Sequence, residues 1–159
     1  MPERITVPLT NNPLNRLFLD SVQLGYSNII NAFLDNGADV NTRNRDGESP
    51  LHLAILLHRT SLVELLLNNG ADINATTCEG ISPLHWAAVN NRSEIVELLI
   101  ARGADPRARD LDGRTPLEWA EGGGHKAIAA ILRHVLERQS QTAGPERRPA
   151  TFSTSPPNR

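Results

Sequence analysis

Asp46-Gly47-Glu48-Ser49-Pro50-Leu51-His52-Leu53-Ala54 recurs as Glu79-Gly80-Ile81-Ser82-Pro83-Leu84-His85-Trp86-Ala87. It recurs again as Asp112-Gly113-Arg114-Thr115-Pro116-Leu117-Glu118-Trp119-Ala120, each step being 33 residues. A second block keeps the same step: Gly37-Ala38-Asp39-Val40-Asn41, Gly70-Ala71-Asp72-Ile73-Asn74 and Gly103-Ala104-Asp105-Pro106-Arg107. Two motifs locked in phase at one period describe stacked structural units rather than a globule around an enclosed active site. The functional question therefore moves from chemistry to contact.

Each unit parses into the same parts. Ser49, Ser82 and Thr115 place a hydroxyl where it caps a helix, and Pro50, Pro83 and Pro116 follow at the first helical position, where a missing N–H costs nothing. Short helices are expected from Pro50 to about Leu57 and from Pro83 to about Asn90. Second helices follow, from about Ser61 to Asn69 and from Ser93 to Arg102. Gly37, Gly70 and Gly103 close the second helices with a left-handed residue. Between units, the chain forms a hairpin-like finger with Gly47, Gly80 and Gly113 at its tip. Leu51/Leu84/Leu117, Ala54/Ala87/Ala120 and Leu66/Leu99/Leu132 make apolar ladders from unit to unit, since no layer is thick enough to bury its own face.

This pattern, Gly-x-Ser/Thr-Pro-Leu-His followed by Gly-Ala-Asp-Val/Ile-Asn, resembles the ankyrin repeat, with two helices and a turn per unit of about 33 residues. The resemblance implies an all-α solenoid of helix-turn-helix units joined by hairpin-like loops. It covers repeats at about 13–45, 46–78, 79–111 and 112–138, with residues 1–12 as an N-terminal extension and 139–159 as a disordered tail rich in Pro, Ser, Thr and Arg. The end units depart where a finite stack needs it. Phe18 takes the Leu51 rung, while Glu121 and Arg133 replace aliphatic rungs in the last unit and are expected to be wet. Arg107 replaces the asparagine that, in the family, ties each loop to its neighbour, so the last loop is expected to be held differently.

Catalytic machinery is not visible. His52 and His85 occupy equivalent positions in adjacent layers, about 8–10 Å apart for stacked helices, whereas two ligands on one zinc stand about 3–3.5 Å apart. Their imidazoles are expected to bond the capping hydroxyl and the neighbouring loop backbone, with Glu118 closing a capping box in the fourth unit instead. His58, His125 and His134 read as surface residues, and Gly122-Gly123-Gly124 as a loose turn without a phosphate-loop lysine. No enzyme activity, metal or cofactor is expected.

Bulk composition agrees. At 159 residues the chain is one domain, and a net charge of -2 gives no pull toward nucleic acid or anionic membrane. An aromatic share of only 4% suits thin aliphatic layers. Cys78 is the single cysteine, which excludes an internal disulfide framework. No apolar run approaches a membrane span. A monomer in the cytoplasm, the nucleus or both is expected.

In such stacks the loop tips and the exposed side of the first helices carry little packing duty, so a partner protein is expected there. Register selects Arg43, Arg45, Asp46 and Glu48 in the first finger, Thr76, Cys78, Glu79 and Ile81 in the second, and Arg109, Leu111, Asp112 and Arg114 in the third. On the first helices it selects Gln23, Leu24, Leu56, Leu57, Val89 and Asn90. Aliphatics where the fold tolerates polar residues mark a protein-contact surface. Trp86 and Trp119 are expected to be partly buried between layers. Thr151 and Ser155 in the tail are candidate phosphorylation sites. The function expected is that of a non-catalytic adaptor or inhibitor, the alternative being a regulatory subunit of a partner enzyme.

Overall fold

Hydroxyl or amide caps followed by proline begin every first helix of the stack. The computed structural model describes residues 12–143, so Thr151, Ser155 and the extension before Asn12 lie outside it. Among the described residues there are eight helices and no strand: α1 (Pro13–Leu24), α2 (Ser27–Asp35), α3 (Pro50–Leu56), α4 (Thr60–Asn68), α5 (Pro83–Val89), α6 (Ser93–Ala101), α7 (Pro116–Gly122) and α8 (Lys126–Thr142). Asn12, Ser49, Ser82 and Thr115 cap α1, α3, α5 and α7 with their side-chain oxygens. Asn12 is thus part of the first unit, not of the extension. Helices as short as α3, α5 and α7 are marginal alone and depend on their neighbours.

Those neighbours bury the ladders. Phe18, Leu51 and Leu84 form one buried column that ends on the half-buried Leu117, Ala54, Ala87 and Ala120 a second, and Leu66, Leu99 and Leu132 a third. Gly37, Gly70 and Gly103 have φ of 87°, 85° and 92°, with nothing within 4 Å of a hypothetical Cβ, so backbone conformation alone calls for glycine there. Gly47 differs: its Cβ would lie 2.7 Å from the Cys78 amide nitrogen, because adjacent fingers touch at that point.

The ends close by different means. In the first unit Asn15 Oδ1 accepts the Asp39 N–H at 2.8 Å, the service that Asn41 gives Asp72 and Asn74 gives Asp105 in later units. In the last unit α8 continues past position 138 to Thr142, so the start of the tail is helical, contrary to expectation. That continuation accounts for Arg107. The next amide in register already belongs to a helix and needs no asparagine, and the guanidinium instead donates to Ser140 Oγ at 3.3 Å. Glu121 and Arg133 are exposed, as expected, and pair with each other.

Candidate functional site

The candidate surface is assembled from the fingers and the capping boxes beneath them. His52 Nδ1 accepts the Ser49 N–H at 3.2 Å and meets Ser49 Oγ at 2.8 Å. An acceptor at Nδ1 leaves the proton on Nε2, which donates to the Ile81 carbonyl of the next unit at 3.0 Å. His85 repeats the arrangement with Ser82 and, at 2.9 Å, the Arg114 carbonyl. Burial lowers the His52 pKa to about 4 and lowers that of His85 as well. Both imidazoles are therefore neutral connectors between layers, the role expected for them. Trp86 and Trp119 stand half-buried, edge-on to His52 and His85 at 5.5 Å between ring centroids.

In the fourth unit Glu118 accepts the Thr115 N–H at 2.7 Å and its hydroxyl at 3.0 Å, which holds the carboxylate below the usual range. This capping box is complete, and among the described residues its bonds stay within the cap.

Finger bases use a further, hydrogen-bonding ladder at Asn44, Thr77 and Asp110, which was not among the expected ones. Asn44 Oδ1 accepts the N–H groups of Asp46 and Glu48, Thr77 Oγ1 those of Glu79 and Ile81, and Asp110 Oδ1 that of Arg114. A hydrogen-bonding side chain every 33 residues was the available signal. Asp110 is buried, which by itself raises its pKa. The Arg114 N–H, the Trp119 indole at 2.8 Å and the Arg114 guanidinium at 3.4 Å outweigh that and lower it. Arg114 also lies 5.5 Å from the Trp119 ring centroid and pairs with Asp112 at 2.8 Å.

The selected surface residues divide accordingly. Arg45, Asp46, Cys78, Glu79, Arg109, Asp112 and Arg114 are exposed. Leu56 and Val89 are exposed at the ends of α3 and α5, Leu56 at 47%, and Leu111 is 77% exposed at the third tip. Ile81 is a correction: it is only 9% exposed, because its N–H is held by Thr77 and its carbonyl by His52 as the chain enters the next cap. Glu48, Leu57 and Asn90 are half-buried. Asn44 Nδ2 donates to Glu48 at 2.6 Å, and Asn90 Nδ2 donates to the Trp86 carbonyl at 2.8 Å. Arg43 is exposed but donates to the Thr76 carbonyl of the next finger, so it joins fingers as well as facing solvent. Backbone bonds do the same: Cys78 N–H to Asp46 O and Leu111 N–H to Glu79 O, both at 3.0 Å. His125, expected at the surface, is half-buried, with Nε2 2.8 Å from the Val89 carbonyl across the turns.

Among the described residues no cluster of three or more His, Cys, Asp or Glu is placed to hold a metal, and no helix is long and apolar enough to cross a membrane. A family model described as ankyrin repeats (three copies) matches residues 18–110 and again 61–142. The chain belongs to the ankyrin repeat family, whose members generally serve as protein–protein interaction modules and are typically non-catalytic. No match was found among curated proteins.

Proposed function

We propose that this chain is an adaptor or inhibitor that holds another protein against its finger tips and the exposed ends of its first helices, with no chemistry of its own. The observation that carries this reading is the exposure of Leu56 and Val89 at one register of successive units, beside fingers tied together by main-chain bonds. A ridge whose parts are already ordered loses little entropy on binding, which favours recognition by display. Its mixed charge, with Arg45, Arg109 and Arg114 among Asp46, Glu79 and Asp112, suits a protein partner better than a nucleic acid, which selects for a basic stripe.

The test is affinity capture with the wild-type chain beside a Leu56→Arg/Val89→Arg variant. Both residues are exposed, so the variant is expected to keep its circular dichroism and melting while losing the partners specific to wild type. Retention of the same partners by the folded variant would refute the surface assignment.

A further inference from the structure

The stack's two ends are not alike. At the C-terminal end the rungs that would meet a further unit are Glu121 and Arg133, exposed and paired. At the N-terminal end the positions that would meet a preceding unit are apolar. Ile29 is 37% exposed, although its equivalents Leu62, Ile95 and Ile128 are all buried. Leu17 is 55% exposed where Pro50, Pro83 and Pro116 are buried, and Phe33 is half-buried where Leu66, Leu99 and Leu132 are fully buried. These side chains have the character of a stacking surface, and no layer of the described residues lies on them. Asp20 lies on the same face: its register is that of Trp86 and Trp119, which contact the preceding unit through His52 and His85.

We propose that this face is a two-fold interface with a second copy of the chain, in place of the single-copy state expected from the sequence. The occupant follows from charge and polarity. The far end of another copy is a poor match, because its Glu121–Arg133 pair would have to be desolvated against leucine and isoleucine. The same face of another copy offers the same apolar groups. It also answers Asp20, since Arg16 precedes it by one turn on α1, both are exposed, and neither forms an ion pair within the described residues. When α1 pairs antiparallel with its copy, Arg16 of one meets Asp20 of the other, twice, as a self-complementary interface requires.

Sedimentation of the full chain as concentration is raised tests this. The wild type is expected to move from one toward two times 17.4 kDa. Arg16→Asp alone and Asp20→Arg alone, each leaving like charges across the axis, are expected to weaken association by roughly tenfold or more. The double variant Arg16→Asp/Asp20→Arg is expected to associate as wild type does, and an equimolar mixture of the two single variants to form a heterodimer. A wild type of single mass throughout overturns the proposal, as does a dimer indifferent to all of these changes. A chain that doubles only after removal of residues 1–11 overturns it too, and assigns the face to that segment.

Discussion

The Nε2–H of His52 reaches the Ile81 carbonyl 29 residues later in the chain, at 3.0 Å and in the next layer. One imidazole thereby caps its own helix through Nδ1 and anchors the base of the following finger through Nε2. Local capping and layer-to-layer cohesion share a single side chain, so the stack fails at this point in both senses together.

Replacing His52 by alanine leaves the Ser49 N–H without its partner and the Ile81 carbonyl with only the Thr77 N–H, in a buried site. The expected loss is about 2–4 kcal/mol, combining unmet hydrogen bonds with lost volume. Urea unfolding followed by tryptophan fluorescence measures it, with Trp86 reporting from the edge of the same ring. A loss within the range of an ordinary surface substitution would refute the role given to this side chain.

Acid is expected to weaken the stack earlier than carboxylate titration alone explains. Burial lowers the His52 pKa from 6.5 to about 4, so between those values the unfolded chain binds a proton that the native chain refuses. This contribution is complete above pH 6.5 and is lost as pH falls toward about 4, on the order of 3 kcal/mol in total. His85, lowered for the same reason, acts in the same direction. Unfolding curves at neutral and mildly acid pH should show the slope, and His52→Gln should flatten it; an equal slope in that variant would assign the effect elsewhere.

The turn within each unit places one residue in the left-handed region: Gly25, His58, Asn91 and Gly124 occupy the same register with φ of 76°, 57°, 56° and 73°. A side chain with a Cβ pays about 1 kcal/mol in that conformation. His58→Gly is therefore expected to stabilise by about 0.5 kcal/mol after its own chain-entropy cost, and Gly124→Ala to destabilise by about 1 kcal/mol. Thermal melts of the two variants should shift in opposite directions; shifts of the same sign would refute the assignment.

Asn41 and Arg107 share a register but not a duty. Asn41 accepts the Asp72 N–H at 2.7 Å and donates to the Gly70 carbonyl at 3.1 Å, so Asn41→Ala is expected to cost about 1–2 kcal/mol. Arg107 makes an exposed contact to Ser140, and Arg107→Asn should change stability by no more than about 0.5 kcal/mol. Equal effects from the two substitutions, measured by denaturant titration, would contradict this division.

Much of the molecule was legible before any coordinate. Ser49-Pro50 and its echoes announce helix starts, Gly70 and Gly103 announce stops, and the shared period forces the layers into one stack, because none can bury its face alone. The two roles of His52 and His85 were readable for the same reason, each lying next to its cap. The candidate surface was less legible. Glu48, Ile81 and Arg114 hold one register, yet they end half-buried, buried and exposed. Each outcome depends on which neighbour covers it, and period alone carries no information about that.

Chain order by itself determined the repeating architecture, since its causes are local: caps, φ preferences and the spacing of apolar rungs act within a few residues and simply recur. Tertiary structure decided what lies between units and at their ends. It brought His125 to the Val89 carbonyl, carried α8 over the last loop to meet Arg107, and left Leu17 and Ile29 uncovered beside Asp20. Those outcomes depend on distances between residues far apart in the chain, which packing sets and sequence spacing does not contain.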